Sequence, residues 1–194
     1  LGFVFPVLGQ SVVSKQISAQ QITEAEFRLP WVYQLEIVGL DSIDQVDLLY
    51  DSYGEYKTAS TIIIRTIGRV LYAEEVSNPN FELHHDKLSV HKQYATKAKL
   101  LVPSDLEVWV MVDNCRVEVK GNLNRINLQL NTGFCSFEAN TFKSSIESLE
   151  ANICIVNSQV NVDARSKYGL VLTTFNPEYS ANLVIGTTLG NVYN

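Results

Sequence analysis

The chain has 194 residues, with 21 acidic against 15 basic side chains and a formal net charge of −6. That balance excludes a nucleic-acid binder that works by phosphate neutralisation. With 46% hydrophobic and 19% charged residues the chain is too apolar for wholesale disorder, and it is long enough to bury a core without disulfide staples or a structural metal.

Residues 1–9, LGFVFPVLG, are apolar and uncharged, and polar residues follow at once in QSVVSKQ. They read as the end of a secretory apolar region running into a small-residue cleavage site near Gly9–Gln10. The alternative is a buried N-terminal strand. The first reading implies an exported protein in the periplasm, at the cell surface or secreted. No later stretch reaches the roughly 18 apolar residues of a spanning helix, so no stable membrane insertion is expected.

From there the pattern is strand-like. SKQISAQQITEAEF (14–27) has apolar positions too sparse for a helical stripe. WVYQLEIVG (31–39), QVDLLYDS (45–52), STIIIRT (60–66) and RVLYAEE (69–75) are rich in β-branched and aromatic residues, with turn residues between them. Tyr53-Gly54-Glu55-Tyr56 and Ile67-Gly68-Arg69 read as turns. Thr96, Ala98, Leu100 and Val102 then share one face, with Lys97 and Lys99 opposite. Pro103-Ser104 turns a corner. Leu106, Val108, Val110 and Val112 share the next face, with Trp109 and Met111 opposite and covered by the first half of the chain.

Beyond the corner at Asp113-Asn114, three segments (114–133, 134–151 and 152–169) can be stacked. Each opens on a short alternating run around Cys115, Cys135 or Cys154. Each continues through an Asn-rich corner to a second short run. A period of about 20 residues with several short strands per turn is the signature of a β-solenoid. In this stacking Cys115, Val117 and Val119 lie over Cys135, Phe137 and Ala139. In the third segment Ile153 and Ile155 compete with Cys154 and Val156 for the inward face, so Cys154 stays unplaced. Asn122, Asn124, Asn131, Asn140, Asn152 and Asn157 fall at corners, where Asn tolerates left-handed backbone. A glycan-binding ridge is the rarer alternative. The strands at 169–175 and 181–194 add a last rung and an edge cover.

In LPWVYQLEIVGLDSIDQVDLLYDSYGEY (29–56), DKLSVHK (86–92), AKLLVPSDLEVWV (98–110), VEVKGNLNRINLQLNTGFCSFE (117–138), SKYGLV (166–171) and TTLGNVY (187–193) the chain resembles a bacterial family. It is the putative adhesin-type β-strand-repeat proteins, in particular those of Bacteroidetes, whose biochemical function is unknown. The resemblance rests on the order of scaffold motifs. It implies a β-solenoid exported to the periplasm or cell surface. The Ser144-Ser145 corner and Ala151-Asn152 depart from that family's Gly-rich corners.

Few residues suggest chemistry. His84-His85-Asp86 with His91 is the one histidine cluster, but adjacent strand residues point to opposite faces, which disfavours one metal site. Glu118 and Glu138 sit in equivalent places of successive segments, where like charge would raise one pKa. A solvated outer face beside Arg116 and Lys120 is the preferred reading. Trp31 and Trp109 with Tyr33, Tyr50, Tyr53, Tyr56 and Tyr72 offer a carbohydrate or protein platform, although strand aromatics more often pack on each other. Phosphate-loop, nucleophile-elbow and calcium-repeat motifs are absent. No catalytic, cofactor-binding or metal residue is assigned, and no cofactor.

The sequence therefore predicts an all-β chain: residues 10–104 an N-terminal antiparallel β region or cap, continuous with a short single-stranded β-helix or β-solenoid over 105–194. The function expected is a non-enzymatic envelope or surface module that meets an envelope protein or glycan. The alternatives are a carbohydrate-active enzyme on a solenoid and a periplasmic envelope-stress accessory protein.

Overall fold

The computed structural model describes residues 10–54, 58–81, 94–156, 160–174 and 182–193. Among them the chain is all-β, with no helix. In chain order the strands are β1 (Gln10–Ser18), β2 (Glu24–Arg28), β3 (Gln34–Leu40), β4 (Gln45–Gly54), β5 (Ser60–Ile67), β6 (Val70–Ser77), β7 (Tyr94–Pro103), β8 (Glu107–Ser148), β9 (Asn152–Val156), β10 (Val160–Ser166), β11 (Val171–Thr174), β12 (Asn182–Thr187) and β13 (Val192–Tyr193). All belong to one hydrogen-bonded sheet. Its main path runs β1-β4-β7-β3-β8-β2-β6-β5, and β9 to β13 join through β8.

Alternation of apolar and polar residues explains the strands. Leu35 and Ile37 of β3, Val46, Leu48 and Tyr50 of β4, and Thr96, Ala98, Leu100 and Val102 of β7 are buried, as are Leu106, Val108, Val110 and Val112. They join one continuous apolar core with Val117, Val119, Ile126, Leu128, Phe137 and Ile155. The turn at Gly68 joins β5 to β6 with Ile67 opposite Val70. Gly68 takes a φ of +61° there, a conformation natural to glycine in tight hairpins.

β8 counts 42 residues, which fully extended would run about 140 Å. Its inward–outward alternation breaks where two outward residues follow one another. Asp113-Asn114 breaks the alternation between Val112 and Cys115, and Phe142-Lys143 breaks it between Thr141 and Ser144. The corner read from Asp113-Asn114 thus coincides with a break in the pleat, whereas Asn140 sits in unbroken alternation between Ala139 and Thr141.

The spacing between neighbouring segments is shorter than the cysteines suggest. Asn131 bonds Asp113, and Asn140 bonds Asn122, each across 18 residues. Cys135 lies beside Ile153 and Phe137 beside Ile155 in parallel register, Ile153 beside Val171, and Ala164 beside Ile146. The guanidinium of Arg116 covers the Phe134 ring at 5.7 Å. Cys115 is therefore not stacked on Cys135 in register. The cysteines are displaced by one further pleat, which keeps the face but misstates the period. Cys115 and Cys135 are buried, and burial pushes both thiols up to about 12. Ile153 and Ile155 take the inward face, and Cys154 is half-exposed.

The N-terminal half is not simply antiparallel. β1–β4, β4–β7 and β5–β6 pair antiparallel. β2 and β3, however, lie parallel to their neighbours: Ala25 sits between Leu71 and Val108, and Leu35 between Ala98 and Val117. β2 and β3 thereby join the early strands to β8. Trp109 and Met111 are flanked in register by Glu26 and Arg28 of β2, so the first half lies beside that strand in the sheet. Trp109 is half-buried and Met111 exposed.

Candidate functional site

The segment LPWVY (29–33) links β2 to β3 and is held from three strands. Leu29 N–H donates to the Met111 carbonyl at 2.9 Å, Tyr33 N–H to the Thr96 carbonyl at 3.0 Å, and Arg116 N–H to the Tyr33 carbonyl at 2.8 Å. The Thr96 hydroxyl donates to the Trp31 carbonyl at 2.5 Å, and Trp31 N–H donates to Glu75 Oε2 at 2.8 Å. Leu29 and Val32 point into the core. The residues between and after them are thereby presented outward: Trp31 is 44% and Tyr33 39% exposed. An aromatic on a fully bonded backbone loses little further freedom on binding.

Glu75 anchors this arrangement from inside. It is only 3% exposed, and its Oε1 accepts from the Tyr50 hydroxyl at 2.5 Å. The Ser60 hydroxyl also reaches Oε1, at 3.4 Å. Burial raises the carboxyl's pKa, while hydrogen bonds from Tyr50, Trp31 and Ser60 pull it back down. The sequence carried a signal for this residue. In RVLYAEE, Glu75 is in phase with Leu71 and Ala73, on the inward face, and a carboxylate there needs partners. Glu75 also lines a groove of about 350 Å³ with Arg28, Pro30, Glu74, Met111 and Asp113.

On the outer face Tyr33 meets Tyr53 at the end of β4. Their hydroxyls are 2.6 Å apart, and the rings meet edge to face, 6.5 Å apart at 87°. The Lys97 ammonium lies 5.8 Å from the Tyr33 ring and 5.6 Å from the Tyr53 ring. The Tyr53 and Tyr33 hydroxyls raise the Lys97 pKa. The Tyr53 pKa is raised, chiefly by desolvation. Beside the pair runs a groove of about 200 Å³ lined by Gln34, Glu36, Leu49, Asp51, Lys97 and Lys99. Its side chains stand in two register rows, Asp51–Lys97–Gln34 and Leu49–Lys99–Glu36. An ion-pair ladder continues across the sheet: Lys99–Glu36 at 2.9 Å, Lys120–Glu36 at 3.9 Å, Lys120–Glu118 at 2.9 Å and Arg116–Glu118 at 3.4 Å.

Of the seven aromatics singled out in the sequence, Tyr33 and Tyr53 meet beside this groove, and Trp31 is exposed. Tyr50 is core. Tyr72 lies under the Arg65 guanidinium at 5.6 Å, Trp109 is half-buried between strands, and Tyr56 lies outside the described residues. Glu118 is not a raised acid. Lys120, hydrogen-bonded to it, holds its carboxyl below the usual range, and Lys120 also feels the charge of Glu138. The asparagines serve corners: Asn122 bonds Asp41 at 2.6 Å and Asn152 accepts from Leu170 N–H at 3.0 Å. Asn157 and the cluster His84, His85, Asp86 and His91 lie outside the described residues. Among the described residues no group of His, Cys, Asp or Glu side chains is placed to hold a metal ion, and no helix is long and apolar enough to cross a membrane.

No known family profile and no curated protein matches the chain. Among solved structures it is similar to a putative cell adhesion protein from Clostridium sporogenes, with a TM-score of 0.58 and 13% identity over 95% of this chain and 98% of that one. A putative adhesin from Bacteroides fragilis aligns at a TM-score of 0.42 and 10% identity, covering 95% and 97% of the two chains. One from Parabacteroides merdae aligns at 0.29 and 12%, covering 94% and 95%. The likeness to the Clostridium sporogenes protein is one of fold, spanning nearly the whole of both chains.

Proposed function

We propose that this chain is an exported, non-enzymatic surface module that binds an external glycan or envelope protein through the outer face of its sheet. The observation that carries the reading is the solvent-facing pair Tyr33 and Tyr53 with Lys97 between their rings, set on backbone bonded from three strands. Tyrosine presents an apolar ring and a polar hydroxyl together, which suits it to a wet binding interface. The adhesion-protein description of the Clostridium sporogenes neighbour points the same way. The non-catalytic reading is supported by Glu118, which Lys120 keeps ionised within an ion-pair ladder where an acid catalyst would need a raised pKa.

The proposal includes the architecture. The step of 18 residues between Asp113 and Asn131 and between Asn122 and Asn140, which lengthens to 21 at the last strands, favours a short β-solenoid over 105–194. Residues 10–104 form its cap, and the two make one continuous unit. Such a cap covers a terminal rung that would otherwise expose its edge.

The test is a binding screen of the chain from Gln10 against a glycan array and envelope extracts, with the same samples assayed for new reducing ends or unsaturated products. Binding without turnover is expected. Turnover of any polysaccharide overturns the reading.

A further inference from the structure

The groove beside the tyrosine pair specifies its ligand more closely than the fold does. This inference rests on the surface-binding reading above and deepens it. A sugar ring has an apolar face and an equatorial rim of hydroxyls. It needs an aromatic plane for the first and alternating donors and acceptors for the second. Tyr33 and Tyr53 supply two planes at 87°, amphipathic rings suited to a wet interface. The adjoining rows supply the polar rim: Asp51 accepts, Lys97 donates and Gln34 does both, with Lys99 and Glu36 one pleat further. The opening of about 200 Å³ is a shallow trough on the sheet face, and Leu49 leaves an apolar spot in it, 43% exposed.

Charge decides the class. Lys97 lies opposite Asp51 in register, and Lys99 pairs with Glu36 at 2.9 Å. The trough therefore carries two positive and two negative side chains and no net charge. A polyanion would meet two carboxylates and a polycation two ammonium groups, each at an electrostatic cost. A neutral polyol meets only hydrogen-bonding partners whose desolvation it repays in kind.

We propose that the Tyr33–Tyr53 pair and the trough formed by Gln34, Asp51, Lys97 and Lys99 are a binding subsite for a neutral, hydroxyl-rich glycan.

The experiment is calorimetric titration of the full chain with neutral mannan and β-glucan oligosaccharides, polygalacturonate as the acidic probe and chitosan oligosaccharide as the basic one. Each is measured for the wild type, for Tyr33→Ala/Tyr53→Ala, for Lys97→Met and for Tyr168→Ala, which removes an exposed aromatic elsewhere. The expected result is binding of a neutral oligosaccharide, weakened at least tenfold in the double variant and in Lys97→Met and less than twofold in Tyr168→Ala. Should the double variant melt early, Lys97→Met, a half-exposed side chain on the outer face, carries the test. Neutral binding that survives both variants overturns this subsite and leaves the surface-module reading standing. Preference for polygalacturonate or chitosan, or no response to any glycan, overturns the ligand class. Binding of an envelope protein in the same buffers would then keep the module reading alive.

Discussion

In residues 134–174 most strands find a parallel neighbour 18 residues along the chain: Cys135 beside Ile153, Ile153 beside Val171. In residues 10–103 the step varies, from the hairpin that sets Ile67 opposite Val70 to partners far apart in sequence, and both senses occur. Leu35 lies between Ala98 and Val117, while Leu49 opposes Lys99 antiparallel. Both halves feed one core. The regular half reuses the same corner, so its outward residues serve structure: Asn140 on Asn122, Arg125 on Glu107. The irregular half has no such constraint, and it carries the aromatic corner and the neutral trough. Regular stacking makes the scaffold, and departure from it makes room for a site.

Differences between the halves can be measured, and the largest expected one is kinetic. Cys115 and Cys135 are buried, with thiols pushed up to about 12, and Cys154 is half-exposed. Native labelling at neutral pH should modify Cys154 alone, with the other two reacting only when the regular half opens. Fast labelling of all three would mean that this half is loose.

Next come the core truncations. Phe137→Ala in the regular half and Phe27→Ala in the irregular half remove fully buried rings and should each cost about 3–5 kcal/mol. A single denaturation transition for both variants marks one cooperative unit. Two transitions with Phe27→Ala would separate the halves.

The glycines sharpen the contrast. At Gly133, φ is +117° and an added Cβ would overlap the Cys115 carbonyl oxygen. Gly133→Ala should therefore cost about 3 kcal/mol or more. Gly68 has a φ of +61° and open space around it, so Gly68→Ala should cost only about 1 kcal/mol. Equal costs by urea denaturation would show that the rung contact at Gly133 is not tight.

Glu75 gives a pH signature peculiar to the irregular half. Burial raises its folded-state pKa, so the folded protein holds that proton more firmly than the unfolded chain. The stability tied to it is full below the ordinary carboxylate range and is lost as pH rises through the folded pKa. Relative to Glu75→Gln, the wild type should lose stability as pH rises above the ordinary carboxylate range and through the raised folded-state pKa. A parallel pair of pH profiles would refute the raised pKa. The smallest effect is expected at the corners: Asn140→Ala removes one exposed bond at 3.2 Å and should cost under about 1 kcal/mol by thermal melting.

Much of this was legible in the sequence, for a physical reason. Strict alternation around Leu100 and Val108 reports which side is wet, and that is enough to place strands and faces. The register between distant strands is not written locally. Nothing near Leu35 names Ala98 or Val117, because parallel pairing is decided by the whole core. The period was blurred because a displacement of two residues keeps every side chain on its face. Cys115 and Cys135 therefore looked aligned, whereas the corner bonds Asp113–Asn131 and Asn122–Asn140 carry the true step. For the site, Trp31, Tyr33 and Tyr53 stood out by type. Lys97 and Asp51 did not, because a charged residue on the wet side of a strand is unremarkable until its neighbours are known.

Where the step is 18 residues, as at Asn131 and Asn140, it would also define a unit of growth; at the last strands it is 21, with Asn161 beside Asn182 and Val171 beside Val192. An insertion of one whole step leaves every corner above a corner and every apolar residue above the core. A chain built this way changes length in quanta, and each added quantum widens the outer face by one strand, about 4.8 Å. The width of the sheet could thus be set by counting such steps, with the pair Tyr33 and Tyr53 left untouched.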